Sequence, residues 1–496
     1  MVSGPSFGVV CFGMVPRKRR IVGRERERKV LESAATSPEA ELIAIYGRRR
    51  VGKTFLVREH FADDLCFELT GMYGVPLAKQ LRNFAEALEP SPAQGLRPVV
   101  PRDWIEAFTQ LTSLLERLPR RGRKRVVFLD ELPWLASRRS GFVPAFEHFW
   151  NSWASRRADL IVVVAGSAAS WMVDHMVRAR GGLHHRVTRQ LRLDPFTLSE
   201  ARGFLASQGV TMENYQTMEL YMALGGIPHY LKEVSRGESP AQCIDRVCFS
   251  RDGLLHQELT HIYASLFDDA ERHQLVVRAL SSRRQGLSRT ELLAATKLPT
   301  GGWVSNVLED LEASGFVMRT PRFGLAKKDQ LYRLSDEYSL FHLRWIEHHR
   351  GRAAGTWQRA RGTPAWRAWS GYAFESVCLK HVDALRWALG IGAVQTEEST
   401  WRHAGRGEDG GAQIDLVIDR KDGCINLCEL KFAEGEFVID RAYARTLREK
   451  REVFRRVTRT KKTLFTTLVT SHGIAENDHS REIVDASVTM DALFDR

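Results

Sequence analysis

Cysteine is scarce in this chain, seven in 496 residues, and no Cys-x-x-Cys pair occurs. The nearest pairs, Cys243/Cys248 and Cys424/Cys428, have the spacing of neither a zinc site nor a disulfide framework. That excludes a cysteine-built metal scaffold and suggests reduced thiols in a cytoplasm. No apolar run approaches the roughly 18 residues of a membrane span, so no membrane is expected as a partner. The mildly apolar Met1–Val15 precedes its basic cluster Arg17–Arg20, the reverse of the order in a secretory signal. Residues 1–20 read as an N-terminal extension, with Met14 an alternative start. Internal repeats and low-complexity tracts are also missing, which excludes a solenoid.

Acid is in deficit. Lys and Arg number 73 against 60 Asp and Glu, a net charge of +13. A basic chain of this size suits a nucleic acid or another polyanion, although arginine-rich composition alone gives the same excess. Hydrophobic residues make up 43%, ordinary for a globular protein, and the length suggests about three domains.

Glu41–Tyr46 is a short apolar run ending in a glycine-rich loop, the pattern of a buried strand. Similar runs recur at Leu65–Leu69, Val126–Leu129, Leu160–Ala165 and Gln190–Leu193, with helical spacing between them at Lys79–Leu88 and Trp104–Leu118. Alternating strands and helices predict a parallel sheet covered on both faces, an α/β domain over 21–194. Phe196–Gln208 and Tyr215–Ser235 read as helices of a lid over 195–270. Over 271–349, helices at Glu271–Ser282, Ser288–Lys297 and Trp303–Ala313 precede strand-like Phe316–Phe323 and Gln330–Leu334, the order of a winged helix. Ser288 and Glu291 form a capping box for the second of these helices. Residues 350–364, rich in Arg, Gly and Ala, read as a linker. A separate α/β domain over 365–496 starts with a helix at Trp366–Leu389. It continues with strands Ala412–Ile418 and Cys424–Phe432 across an Asp422-Gly423 turn, a basic helix and strand Lys462–Val469.

The loop Gly47-Arg48-Arg49-Arg50-Val51-Gly52-Lys53-Thr54 matches GxxxxGK[ST] and lies between a strand and a helix, as a phosphate-binding loop must. Its glycines let backbone amides close around phosphates, Lys53 can reach the β and γ oxygens, and Thr54 can ligate magnesium. The strand Val126–Leu129 delivers Asp130 to hold the metal and Glu131 to act as base toward a hydrolytic water. An extra strand at 65–69 and the absence of an Asn-Lys-x-Asp guanine reader favour ATP over GTP. Ser167, in Val-Val-Ala-Gly-Ser, either orients that water or is only a turn residue. Arg186 or Arg189 could contact a phosphate, in cis or from a neighbouring subunit of a homo-oligomer.

These motifs follow one another in a set order, with Ile21-Val-Gly-Arg-Glu25 upstream and Leu193-Asp-Pro-Phe196 and Gly225-Gly-Ile-Pro-His-Tyr230 downstream. Together they resemble the archaeal-type ATPase family, a STAND-related branch of the AAA+ proteins. The resemblance covers about 21–235. It implies that Val22-Gly23-Arg24 packs near the adenine and that the Gly225–Tyr230 turn belongs to the lid. Where the family usually has Gly-Arg, this chain has His185-Arg186.

The second constellation lies near the C-terminus. Side chains alternate along a strand, so Glu429 and Lys431 share one face, and Asp415 on the adjoining strand can join them. Two carboxylates, Asp415 and Glu429, holding a divalent cation beside a lysine suit phosphodiester hydrolysis, with Glu375 a third acidic contributor. This resembles the PD-(D/E)xK, or restriction-endonuclease-like, fold in the form attached to many archaeal-type ATPases. A hairpin with a surface Glu–Lys pair, or a nuclease fold that binds without cutting, fits the same residues. From Arg441 to Lys462 ten basic residues face two acidic ones, a net charge of +8. With Tyr443, Leu447, Phe454 and Val457 inside and the cations outside, this helix either grips DNA phosphates or is a solvated face.

The third winged-helix helix carries Glu309, Asp310 and Glu312, which would repel phosphates. The wing offers Arg319, Arg322, Lys327 and Lys328. A structural or regulatory module packed on the ATPase is favoured over a sequence reader. The sequence thus predicts an ATPase using ATP and Mg, coupled to a nuclease-like, DNA-binding C-terminal module. The alternative is an ATP-driven switch whose C-terminal domain binds nucleic acid or protein without cleavage.

Overall fold

The computed structural model describes residues 21–495 apart from 89–98, 120–121, 138, 178–184, 284, 298–300, 327–328, 350–354 and 406–409. The expected extension 1–20, the start of the linker and the wing lysines Lys327 and Lys328 lie outside the described residues.

Five apolar runs build one parallel sheet. They are β1 (Glu41–Tyr46), β2 (Leu65–Thr70), β3 (Arg125–Asp130), β4 (Leu160–Gly166) and β5 (Arg189–Arg192), in the order β2-β3-β4-β1-β5. β3 and β4 are buried along their whole length, which is why they read as unbroken apolar runs. Helices Lys53–His60, Trp104–Arg117 and Phe142–Ser152 connect them.

The expected lid helix Tyr215–Ser235 is broken into Asn214–Leu224 and Pro228–Leu231. Gly225 adopts a left-handed φ of 68°, and a Cβ on Gly226 would lie 2.0 Å from the Phe196 carbonyl oxygen. The two glycines are therefore required by a close backbone crossing. Helices Ala270–Ser281, Arg289–Thr296 and Trp303–Ala313 follow, then an antiparallel hairpin of β6 (Val317–Thr320) and β7 (Leu331–Leu334). The Ser288/Glu291 capping box is present.

The C-terminal unit has a five-stranded sheet of order β12-β11-β10-β9-β8. Its strands are β8 (Thr396–His403), β9 (Ala412–Arg420), β10 (Cys424–Lys431), β11 (Thr463–Thr470) and β12 (Ala486–Thr489). β8, β9 and β10 run antiparallel, whereas β10, β11 and β12 are parallel, with the basic helix Arg441–Thr458 between β10 and β11.

Two expectations need correction here. The expected linker contains a helix, Thr356–Ala360, whose Trp357 is buried edge-on against Trp345 and Trp369 at 5.2 and 5.3 Å. The expected long helix Trp366–Leu389 is two, Pro364–Lys380 and Val382–Ala388, separated at His381. One apolar cluster runs from Ile43 and Val126 through Tyr221, Leu308, Tyr338 and Trp357 to Phe374, Leu416 and Leu430. Part of the C-terminal unit therefore packs into the core of the rest of the chain, while Trp401, Val417 and Phe454 belong to a cluster of its own.

His381 fastens that junction. Its Nε2 accepts from the Leu198 backbone N–H at 3.2 Å, one of the orphan donors at the start of helix Leu198–Ser207. Its Nδ1 faces the Val377 carbonyl at 2.8 Å, so a neutral ring satisfies both partners. Burial holds its pKa down to about 4. Because the unfolded imidazole takes a proton near 6.5 and the folded one does not, stability is complete above that pH. It is lost as pH falls toward 4, by up to about 3 kcal/mol. Thermal melts from pH 7 to 4 should show a steeper fall for the native chain than for His381→Gln; parallel curves would contradict this role.

Candidate nucleotide site and C-terminal charged cluster

β1 ends where the loop 47–54 begins, at the C-terminal edge of the parallel sheet. A side chain at Gly47 would lie 2.2 Å from the Leu193 carbonyl oxygen, so only glycine fits there. Lys53 and Thr54 open the following helix. The Lys53 ammonium donates to the carbonyls of Gly47 (2.9 Å) and Arg48 (3.1 Å) and to Ser167 Oγ (2.9 Å). Burial draws its pKa below the usual lysine value, while the Glu131 and Asp130 carboxylates oppose that shift.

Thr54 Oγ1 donates to Asp130 Oδ2 at 2.5 Å. Glu131 sits in a left-handed backbone conformation, φ 48°, at the end of β3. Its two carboxylate oxygens accept from Ser167, one from Oγ at 2.5 Å and one from the backbone N–H at 3.0 Å. Lys53, Ser167 and Glu131 thus form one chain of hydrogen bonds, in which Ser167 bridges the carboxylate and the ammonium. The paired hydroxyl and carboxylate of Thr54 and Asp130 are hard oxygen donors, which fit magnesium.

The three loop arginines behave differently from the loop's backbone. The Arg48 guanidinium is buried, lies 4.6 Å over the Phe316 ring and forms an ion pair with Asp336, just after β7. Burial works against its charge, but Asp336 overrides this and raises its pKa. Asp336 also accepts from Ser339 N at 2.9 Å and Ser339 Oγ at 2.5 Å, and its pKa stays low despite burial. Arg50 pairs with Glu258 at 2.8 Å, and Arg49 lies 6.0 Å over Trp134. Arg48 and Arg50 therefore offer a nucleotide only their backbone, because their side chains are committed elsewhere.

Arg24 donates through its backbone N to Glu200 at 2.7 Å and through Nη2 to the Val51 carbonyl at 3.2 Å. Residues 22–24 thus lie between the phosphate loop and helix Leu198–Ser207. For Arg186 and Arg189 the structure departs from only one of the two expected routes, contact within the same chain. Arg186 is exposed just before β5, where Thr188 N bonds Leu42 O and Arg189 Nη2 faces Glu41 at 3.5 Å. That is the opposite end of β1 from Gly47, about 15 Å of strand away, so neither arginine reaches the loop within one chain.

At the C-terminal unit the shared face of Glu429 and Lys431 is as expected, with Leu430 in the core. Lys431 Nζ lies 3.3 Å from Glu429 and 3.9 Å from Asp415, whose Oδ2 accepts from Leu430 N at 3.1 Å. Three further partners were not legible. Arg333, on β7, pairs with Glu375 at 2.8 Å. Lys450 pairs with the other Glu429 oxygen at 2.6 Å, and Tyr443 OH lies 3.5 Å from Glu429. Lys450 corrects the expectation that all cations of the basic helix face outward. Its position seven residues after Tyr443, two helical turns along the same face, was the available signal.

Burial pushes the pKa of Glu375 and of Glu429 up, most strongly opposed by Arg333 for the first and Lys450 for the second. Among the described residues, no group of three or more His, Cys, Asp or Glu is arranged to hold a metal ion. Glu375, Asp415 and Glu429 instead meet cations, so as arranged they do not fit a divalent metal. The expected metal pair Asp415/Glu429 is a lysine-bridged pair.

Residues 21–234 match the family model described as an ATPase domain predominantly from Archaea. An uncharacterized protein of Methanocaldococcus jannaschii is 23% identical over 328 residues, 66% of this chain and 68% of that one. An uncharacterized ATP-binding protein of Pyrococcus abyssi is 24% identical over 336 residues, 61% of this chain and 93% of that one. Among solved structures, a Walker-type ATPase of Pyrococcus abyssi aligns with a TM-score of 0.47 at 18% identity, covering 67% of this chain and 99% of that one. Residues 21–234 are thus an ATPase domain of the archaeal P-loop type, and no described helix is long and apolar enough to cross a membrane.

Breaking the Arg48–Asp336 pair from one side leaves a buried charge uncompensated and should cost about 3–5 kcal/mol. In urea unfolding, Asp336→Asn should be clearly less stable than the double variant Arg48→Met/Asp336→Leu. Equal stability of the two would contradict the pairing.

Proposed function

We propose that this chain is an ATP-hydrolysing switch in which residues 271–349 act as a winged-helix coupling module and the nuclease-like C-terminal unit binds nucleic acid. The observation that carries the hydrolytic reading is the Lys53–Ser167–Glu131 chain beside the Thr54–Asp130 pair. Thr54 and Asp130 would hold magnesium, which supplies positive charge to the phosphates. Lys53 would exchange its carbonyl partners for phosphate oxygens, a stronger charge-assisted bond. Glu131 takes the proton of the attacking water, and Ser167 is a positioning residue that aims the carboxylate.

The nucleic-acid reading is supported by the exposed cations of helix Arg441–Thr458 and the turn after it: Arg441, Arg445, Arg455, Arg456, Arg459 and Lys461. Two of the three acids of helix Trp303–Ala313 are engaged within their own module, Asp310 with His273 at 3.1 Å and Glu312 with Arg319 at 2.5 Å. That favours coupling over base reading for the module. Binding without cleavage is favoured by the matched charges at the C-terminal cluster.

Glu131→Gln should keep ATP binding while steady-state hydrolysis falls by roughly 10²–10⁴-fold. Unchanged turnover would remove Glu131 as the base. For the tail, anisotropy of a labelled duplex across a salt series should show weaker binding in Arg455→Gln/Arg456→Gln. The log–log salt slope should drop by about one for each phosphate that the variant no longer neutralises. A slope identical to that of the native chain would remove this helix as the interface.

A further inference from the structure

Of the three arginines in the phosphate loop, two are committed to the modules that follow, Arg48 to Asp336 and Arg50 to Glu258. Arg49 is exposed and has no carboxylate partner among the described residues. Its guanidinium lies over the Trp134 ring at 6.0 Å, and the exposed Tyr73 meets that ring edge-on at 5.7 Å. Trp134 stands three residues after Glu131, and its backbone N–H donates to the Glu131 carbonyl at 2.9 Å. Gln80 Nε2 fixes the same turn by donating to the Trp134 carbonyl at 3.0 Å. Arg49 therefore rests on the turn that carries the hydrolytic carboxylate.

Two features distinguish this arginine from a solvated surface cation. A cation–π contact at an exposed site is a weak hold, far weaker than a charge-assisted hydrogen bond to a phosphate oxygen. Arg49 is also close enough to Lys53 to act on it. Burial, the larger effect, and the Arg49 charge both draw the Lys53 pKa down, against Glu131 and Asp130. Like charges this close repel, and an oxyanion between them relieves the repulsion. Arg49 is thus the loop's own source of the second cation that Arg186 and Arg189, at the far end of β1, do not supply within one chain.

We propose that Arg49 is a catalytic arginine supplied in cis, which leaves Trp134 when nucleotide binds and donates its guanidinium to the γ-phosphate during transfer to water. Trp134 is a positioning residue that keeps the guanidinium on the Glu131 turn. In the step, the water oxygen bonds to the γ phosphorus and its proton passes to Glu131. The bond from that phosphorus to the β–γ bridging oxygen breaks, and the electron pair leaves with ADP. A planar fork of N–H donors stabilises charge building on these oxygens more in the transition state than in bound ATP. The inference rests on the hydrolytic reading of Lys53 and Glu131 and adds the cation that the transferred group meets.

The test compares the native full-length chain with Arg49→Gln and Arg49→Lys, using ATP and magnesium, with thermal melts to show that each is folded. Arg49→Gln should bind a non-hydrolysable ATP analogue within about threefold of the native affinity, whereas kcat falls roughly 10²–10³-fold. It should also fail to trap ADP with aluminium fluoride and magnesium, a mimic of the group in transfer that the native chain retains. Arg49→Lys keeps the charge without the fork and should recover only part of kcat. An unchanged kcat in Arg49→Gln overturns the proposal. So does a loss confined to KM and analogue affinity, which makes Arg49 a ground-state binding residue. If Arg49→Gln turns over normally while Glu131→Gln does not, the arginine fails and the hydrolytic reading stands. If the native chain hydrolyses no ATP, both fail together.

Discussion

The buried ammonium of Lys53 sets the geometry of the nucleotide end. Its three donors are shared between two loop carbonyls and the Ser167 hydroxyl, so the loop, β4 and, through Ser167, Glu131 hold one another in place. A lysine this deep needs all three partners, because an unpaired buried charge costs several kcal/mol. A triphosphate offers oxygens to the same ammonium. Any transfer of those bonds alters the hold on Ser167 and hence on Glu131, which makes the site sensitive to what occupies it.

The loop is also anchored on its other side. Arg48 and Arg50 direct their charge away from the phosphates, into Asp336 and Glu258 of the modules that follow. With a continuous apolar core beneath these contacts, the phosphate loop, the hairpin and the C-terminal helix Pro364–Lys380 are packed together and not strung as beads on a linker. Close-packed interiors shift between discrete packings rather than deform smoothly, which suits the proposed switch.

What could be read from the sequence follows contact range. The loop 47–54, the Asp130-Glu131 pair and Ser167 were legible because each sits at a strand end, within a few residues of its apolar signal. Glu429 and Lys431 were legible from strand alternation. Arg48–Asp336 spans 288 residues and Arg333–Glu375 joins different modules, so no local pattern announces either. β8 carries no strand signal in the sequence because Thr396–His403 is largely polar and buries only Ser399 and Trp401. Trp357 has the local sequence of a linker, with Arg and Gly as neighbours, whereas the aromatic cluster that buries it comes from distant parts of the chain.

The grip of the phosphate loop on a nucleotide is the interaction on which the proposed switch depends. Calorimetric titration of the intact chain with a non-hydrolysable ATP analogue and magnesium tests this directly. A saturable heat with one site per chain, lost in Lys53→Ala, is the predicted result. No heat with the native chain would contradict the assignment of Lys53, Thr54 and Asp130.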